Sequence, residues 1–327
     1  METFAVTRTE IEEVAIAALV AHGATPANAR PVGRAMALAE AEGNTVCGLF
    51  YLPHFCAHLT SGKVDGRAVP QVTGTGGVVC VDAAMGFAHA AYEAGLPALL
   101  AAVAKQGVAA MSIAQSYNAL ALGHFVRPLA EHGLVALALS NAPASVAPPG
   151  AQAPIFGTNP LAWAAPLAGG PPVVVDQSMS AVTKTAILLR QATGQALEPG
   201  WGQDAMGRPT TDPATALAGS LLPAGGQKGA NIALLAEILS AALSGSALSM
   251  GASPLSAPEG GPPRLGQFVL VLDPGRFSPL FAVAMTTLAA QIAALGLRLP
   301  GTRTPHDQAS LPALLWQQAL ALTGSMR

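Results

Sequence analysis

The stretch that most narrows the fold is Gly74-Thr75-Gly76-Gly77, the nearest approach in this chain to a dinucleotide-binding fingerprint. A parallel, doubly wound nucleotide fold needs three glycines at fixed offsets, placed where a strand ends and a helix begins. Here the third glycine is absent, and the tetrad runs into Val78-Val79-Cys80-Val81-Asp82, which reads as a strand. The glycines therefore read as a turn ahead of a strand, and a Rossmann sheet is excluded. Around this point helices and strands are mixed. Thr9-Glu10-Ile11-Glu12 reads as a capping box for a helix that Gly23 closes, and Thr25-Pro26 opens a second helix running to about Gly43. Residues 44–70 are irregular and rich in aromatics and histidine. Asp82 is placed to cap the alanine-rich helix that follows it. Further strands are expected at 111–113, 134–140, 160–167, 171–176 and 266–273, and helices at 120–132, 181–193 and 228–243. A Ser/Gly/Pro-rich loop spans 247–263. The class is α/β or α+β.

With 327 residues the chain suits about two domains at ~150 residues each, and it can bury a core without disulfides or a structural metal. Hydrophobic residues make up 51% and charged residues 10%, against ~25% charged in ordinary soluble domains. This excludes disorder and leaves so little charged surface that cover by another subunit is expected. Sixteen basic and eighteen acidic side chains leave a net charge of -2, which argues against a nucleic-acid partner. Cys47, Cys56 and Cys80 are too irregularly spaced for a disulfide framework or a redox pair. The start METFAVTRTEIEEV has no apolar core of a signal peptide, so a cytoplasmic location is expected. Residues 277–297 carry no charge and are long enough to span a bilayer. Thr286, Thr287 and Gln291 interrupt them, however, and neither a basic cluster nor paired aromatics flank them. A buried or interface helix is expected there, not a membrane span.

The densest motifs lie in 156–229. Gly225-Gly226-Gln227-Lys228-Gly229 puts flexible backbone and one lysine at the mouth of a helix, where free amides and an ammonium converge on an anion. The competing reading is a glycine turn with Lys228 merely solvated. His54, Cys56 and His58 have a spacing that invites a metal, but no further ligand stands at a known offset. They read as satisfied or exposed histidines, and no metal is expected. His124 and His132 fall on a predicted helix and read as surface residues.

In order and spacing, Gly157-Thr158-Asn159-Pro160, Gly200-Trp201-Gly202-Gln203-Asp204, Gly207-Arg208-Pro209-Thr210-Thr211-Asp212-Pro213 and Leu222-Pro223-Ala224-Gly225-Gly226-Gln227-Lys228-Gly229 resemble the malate/L-lactate dehydrogenase family. That family lacks a Rossmann domain and has the sulfolactate dehydrogenase-like fold. The resemblance runs from about Glu10 to Pro305. Ser116-Tyr117-Asn118-Ala119-Leu120 followed by Val126-Arg127-Pro128-Leu129-Ala130 is similar to the SHHF…VEPLA segment of the branch that reduces Δ1-piperideine-2-carboxylate and Δ1-pyrroline-2-carboxylate. The resemblance implies a mixed α/β chain. A central NAD(P)-binding domain on a largely antiparallel sheet would span 73–279, and a helical substrate and dimer domain would combine 1–72 with 280–327. It implies a homodimeric reductase of small cyclic 2-imino acids or 2-keto acids, with NADP(H) ahead of NAD(H). Position by position, it places cofactor contacts at Ser116, Asn118, Ala119, Leu120, Ala121, Leu122, Asp176, Gln177, Ser178, Lys228, Gly229 and Gly301. Thr302 joins them, replacing the glutamate of the family's PGE turn, and Tyr51 and Thr158 fall at substrate positions.

The departures bear on chemistry. The family's SHGxxRLPxY string carries a histidine proton donor and an arginine that grips the substrate carboxylate. Here Val46-Cys47-Gly48 stands on SHG and Tyr51 on the arginine. The aspartate that the imine-reducing branch places ten residues after Asp176 is Ala186. A thiol of ordinary pKa ~8.5 at Cys47 could donate a proton at neutral pH, or the residue could be a small buried filler. Tyr51 offers a neutral hydroxyl in place of a bidentate cation, or packs. A protonated iminium already carries the proton that a carbonyl must receive, so an altered donor favours an imine substrate. The alternatives are a 2-keto acid/2-hydroxy acid dehydrogenase, or a cofactor-binding relative with lost or changed chemistry.

Overall fold

The structure, a computed structural model, describes residues 3–302 and 306–324. The first half contains β1 (Thr3–Thr7), α1 (Arg8–Ala21), α2 (Pro26–Ala41), α3 (Leu52–Thr60), β2 (Gln71–Thr75), β3 (Val78–Asp82), α4 (Ala88–Gln106), β4 (Val108–Ser116), α5 (Gly123–Glu131) and β5 (Val135–Ser140). Next come β6 (Leu161–Ala165), β7 (Val173–Gln177), α6 (Lys184–Ala192), β8 (Gly202–Gln203), β9 (Pro209–Thr210), α7 (Pro213–Ala218), β10 (Ser220–Leu221) and α8 (Gln227–Ala236). The chain closes with β11 (Leu265–Leu272), α9 (Pro274–Phe277), α10 (Phe281–Ala294), β12 (Gln308–Pro312) and α11 (Ala313–Ala321).

A seven-stranded sheet in the order β2-β3-β4-β11-β5-β6-β7 forms the centre. Every neighbouring pair is antiparallel except β3–β4. That pair alone is joined through a crossover helix, α4, which a parallel pairing requires. The expected largely antiparallel, non-Rossmann sheet is what forms. Gly76 and Gly77 make the tight turn of the β2–β3 hairpin, with Thr75 paired to Val78. β11 holds the middle because Leu265-Gly266-Gln267-Phe268-Val269-Leu270-Val271-Leu272 is apolar on both faces. Val269 and Val271 face the core under α4 and α5, with Leu99, Met111, Ile113, Phe125 and Leu129. Phe268 and Leu270 face the other side, with Leu139 and Ala236. This is the two-residue alternation of a strand covered on both sides.

A second core joins the two ends of the chain: Ile11, Leu19, Val32, Met36, Leu49, Leu52 and Phe55 pack with Leu311 and Ala319. The antiparallel pairing of β1 with β12 fastens the same ends. A third, smaller core around Val146, Met179, Ile187 and Leu221 holds the segment with the short β10-β8-β9 sheet.

Several expectations are corrected. The capping box on α1 is Thr7 with Glu10, not Thr9, because β1 runs through Thr7 and the helix starts at Arg8. Asp82 does not cap α4. Its Oδ1 accepts from the Ala84 amide at 2.8 Å, and the left-handed Ala84 and Met85 carry the chain to Phe87 before the helix begins. The irregular 44–70 stretch contains α3, opened by Pro53 near its start. The uncharged 277–297 stretch forms α10, in which no residue is buried, so the buried alternative is excluded. Among the described residues no helix is long and apolar enough to cross a membrane.

Candidate functional site

α2 ends at Ala41, and the chain then makes two single 3₁₀ turns, Thr45–Cys47 and Leu49–Tyr51, before α3. These turns bring Cys47 close to Asp176 at the end of β7 and place Tyr51 beside Cys47. Burial pushes the Cys47 thiol up to about 12; the negative charge of Asp176 adds to the effect and an Asn44 hydrogen bond opposes it. Burial, and then the neighbouring Cys47, also raise the Tyr51 hydroxyl. The Tyr51 ring meets Phe50 edge-on at 5.6 Å and His54 at 5.8 Å. Beyond it Tyr117, raised by burial and by Tyr51, places its hydroxyl 2.5 Å from His58 Nδ1. His58 is thus satisfied inside the protein. Among the described residues no group of three or more His, Cys, Asp or Glu side chains is arranged to hold a metal ion.

Asp176 is exposed to solvent, yet enough protein surrounds its carboxyl to raise its pKa. Desolvation is the main cause and Glu42 reinforces it, while the Gly123 amide and His124 oppose it. The Gly123 amide donates to Asp176 Oδ2 at 2.8 Å, which ties the start of α5 to the end of β7. One residue on, His124 lies 3.5 Å from Glu42 with its side chain 7% exposed. Its expected surface position is therefore corrected: the first turn of α5 faces Asp176 and the end of α2, not solvent. His132, at the other end of α5, is exposed as expected. Arg127 pairs with Glu42 at 2.8 Å and donates to the Gly301 carbonyl at 3.4 Å. Gly301 has a φ of +71°, and a Cβ there would lie 2.6 Å from Val174. Only glycine lets the 300–302 turn lie along β7, where the Val174 amide donates to Pro300 at 3.1 Å. Thr302 turns its hydroxyl back to Leu299 at 2.8 Å.

The loop before α5 holds Asn118 to Leu122. Asn118 accepts from the Leu120 amide at 3.0 Å, and Leu120 is left-handed. Ala119, Ala121 and Leu122 are buried, so any ligand there meets mainly backbone. Ser116 is buried with its hydroxyl donating to Gln267 at 2.7 Å, engaged within the sheet. At the end of β7, Gln177 is exposed. The Ser178 hydroxyl donates to Thr158 O at 3.3 Å and sits 2.6 Å from Ser180, joining Thr158 to the same strand end. The adjacent Asn159, fully buried with a φ of +34°, donates to Glu237 at 2.9 Å. α8 begins at Gln227, after an N-cap Gly226 that has a φ of +64° and offers no side-chain cap. Its first amides are free for a ligand, and Lys228 beside them is exposed. Gly229 packs so tightly that a Cβ would lie 2.1 Å from Ala224 O. Among the described residues no hydrogen bond or ion pair joins Lys228 to Cys47 or Asp176. Ala186 packs with the small core around Ile187.

Of the residues singled out in the sequence, the fold places Cys47 near Asp176 and Tyr51 near Cys47. Sequence patterns did not mark Glu42 or the inward His124, and they gave Arg127 no role. Arg127 stands where the family's VEPLA string has glutamate, and that reversed charge was the one available signal for a partner such as Glu42.

Residues 6–308 match the family described as malate/L-lactate dehydrogenase. The chain is 41% identical over 295 residues to a (2R)-3-sulfolactate dehydrogenase (NADP(+)) of Chromohalobacter salexigens, covering 90% of this chain and 89% of that protein. It is 40% identical over 304 residues to a Δ1-pyrroline-2-carboxylate/Δ1-piperideine-2-carboxylate reductase of Pseudomonas putida, covering 92% and 89%. The crystal structure of Δ1-piperideine-2-carboxylate reductase from Pseudomonas syringae superposes with a TM-score of 0.92 at 34% identity, covering 98% of this chain and all of that one. With the non-Rossmann sheet, the motifs of 156–229 and matches of this extent, the chain belongs to the malate/L-lactate dehydrogenase family of oxidoreductases.

Proposed function

We propose that this protein is an NADPH-dependent reductase of a small cyclic 2-imino acid of the Δ1-pyrroline-2-carboxylate or Δ1-piperideine-2-carboxylate type. The observation that carries this reading is the thiol at the donor position, with its pKa pushed up to about 12. General acids work best with a pKa near the operating pH. Cys47 holds its proton too tightly to serve a developing alkoxide well, whereas an iminium needs no such proton. The names of the relatives at 40% and 36% identity agree with this substrate class.

The helix mouth at 226–229 suits the phosphates of a nicotinamide cofactor: its amides are uncapped, an ammonium stands beside them, and Gly229 admits no side chain. In this reading Lys228 and Gly229 hold the phosphates, and the backbone of 118–122, Asp176 to Ser178, and Gly301 with Thr302 line the remainder. NADP(H) is preferred to NAD(H). When bound, the cofactor supplies a hydride. Cys47 keeps its proton at the reacting centre, Tyr51 and Thr158 contact the substrate, and Asp176 is held in place by Gly123. The helical unit of 1–72 with 280–327 forms the substrate and dimer domain, and 73–279 the cofactor domain. Two copies pair through apolar surface such as α10, on which Val283 is 62% and Leu288 44% exposed.

A second reading, a 2-hydroxy acid dehydrogenase, draws on the relative named a sulfolactate dehydrogenase. Assays of both Δ1-imines and a panel of 2-keto acids, following NADPH and NADH absorbance, decide between them. Faster turnover of a keto acid than of either imine would overturn the first reading.

A further inference from the structure

The loop that carries Cys47 and Tyr51 is tied to α2 by the Asn44 amide on the Ala39 carbonyl at 2.8 Å and by a buried side chain. Glu40, the penultimate residue of α2, is 4% exposed, and its Oε1 accepts from the Leu49 amide at 2.7 Å. The carboxyl also fills the space over Gly48. A Cβ on Gly48 would lie 2.1 Å from Oε1 and 2.5 Å from Cδ. Gly48 stands on the glycine of the family's SHG string, and in this chain the Glu40 carboxyl occupies the room a side chain would take. The other oxygen, Oε2, is buried without a partner, and burial raises the pKa of the group. A buried carboxyl with one hydrogen bond is an expensive way to fill space. An apolar side chain would fill it at lower cost and leave the Leu49 amide without an acceptor.

We propose that Glu40 is a positioning residue, whose buried carboxyl clamps the Leu49 amide and packs on Gly48 so that Cys47 is held toward Asp176 and Tyr51 beside Cys47. The inference rests on the reading that Cys47 and Tyr51 line the substrate site. It acts through those residues and assigns Glu40 no contact with substrate.

The three cysteines supply the reporters. Cys47 is on the clamped loop, Cys56 is buried in α3, and Cys80 is exposed on β3. Native-state labelling with iodoacetamide, read per cysteine by peptide mass spectrometry, measures local opening at Cys47. Cys80 sets the reference and Cys56 reports general loosening. In Glu40→Ala the Cys47/Cys80 labelling ratio should rise about five- to hundredfold, as expected for a lost buried hydrogen bond, with Cys56 unchanged. The same variant should raise KM and lower kcat for the imine. Glu40→Gln keeps the acceptor and the shape and should stay near wild type in both readouts. Gly48→Ala should swing the carboxyl off Leu49 and reproduce the Glu40→Ala labelling. It also serves as the test if Glu40→Ala does not fold, and the two changes should not add. An unchanged Cys47 ratio in both variants overturns the clamp, as does a rise in which Cys56 keeps pace, since that marks a general structural role. If wild-type protein turns over neither imine nor keto acid, the functional reading fails, while the labelling still decides the clamp.

Discussion

Replacing Cys47 by alanine removes the proton-bearing side chain that the proposed reading assigns to the donor position. A thiol pushed up to about 12 is ionised in only about three molecules per hundred thousand at pH 7.5, against about one in ten at the ordinary pKa of ~8.5. Cys47 is therefore present as the acid throughout the neutral range, and its titration should leave no inflection in the pH profile below about pH 11. It is also a weak acid, so its contribution falls at the low end of the ~10²–10⁴-fold usual for general acid catalysis. For a 2-keto acid the expected loss of kcat/KM in Cys47→Ala is thus up to about a hundredfold. For a Δ1-imine, which arrives protonated, the loss should be small. The assay is steady-state NADPH oxidation with both substrate classes from pH 6 to 9. Equal losses on imine and ketone would refute the reasoning, because the thiol would then serve a step common to both. No loss on either would leave Cys47 as packing.

Lys228→Ala should weaken NADPH binding in calorimetry about ten- to hundredfold, the equivalent of one charge-assisted hydrogen bond at ~1.5–3 kcal/mol. The melting temperature should not move, since Lys228 is exposed; an unchanged dissociation constant would make it a solvated surface residue. Light scattering at micromolar concentration should give the mass of two chains, and the mass of one would remove the role proposed for the uncovered faces of α10. Cys56, 1% exposed, has its pKa pushed up to about 12 by burial. The folded state keeps a proton that the unfolded thiol loses, so its contribution is fully present below ~8.5 and declines as pH rises toward 12. Above ~8.5 this costs about 1.4 kcal/mol per pH unit. The urea midpoint should fall between pH 8 and 10.5, and a midpoint as steep in Cys56→Ala as in wild type would contradict this source.

The parts of the fold that were legible in the sequence are those set by neighbours along the chain. Thr25-Pro26 starts α2 because a hydroxyl and a fixed φ act within one turn. The 266–273 run reads as a strand from its short, largely apolar sequence, and its place in the middle of the sheet comes from pairing with β4 and β5. Gly76-Gly77 reads as a turn because a strand follows it. The errors have an equally local cause. Thr7 stands three residues before Glu10 and Thr9 three before Glu12, and only the pairing of β1 with β12, some three hundred residues away, settles which one caps α1. Asp82 looked like a cap because the five residues that separate it from α4 have no pattern of their own. In the site, Glu42, Arg127 and Gly301 meet across three segments, and no spacing rule connects them. His124 resembled a surface histidine because periodicity cannot say that the first turn of α5 is covered by α2.

The groups that were not legible also decide which charge the site favours. Two carboxylates, Asp176 and Glu42, stand by the candidate centre, and Arg127 is engaged by Glu42. The nearest acids are kept neutral, Cys47 by burial and the charge of Asp176 and Tyr51 by burial and the neighbouring Cys47. An added negative charge beside Cys47 and Asp176 would be opposed, as the raised pKa values of both residues already record. A ketone must build that charge on its oxygen in the transition state. An iminium instead enters with a positive charge and loses it as hydride arrives. The negative charge of Asp176, which adds to burial in keeping a proton on Cys47, supports a cationic iminium over a developing alkoxide. Restoring a histidine at Cys47 would supply the better donor, but with Val46 and Ala186 in place of the family's serine and aspartate the imidazole would lack its orienting partners. Cys47→His should therefore gain less on keto acids than the ~10²–10⁴-fold that an oriented general acid provides. Adding Val46→Ser and Ala186→Asp should recover more of it. Full recovery from Cys47→His alone would show that orientation contributes little here.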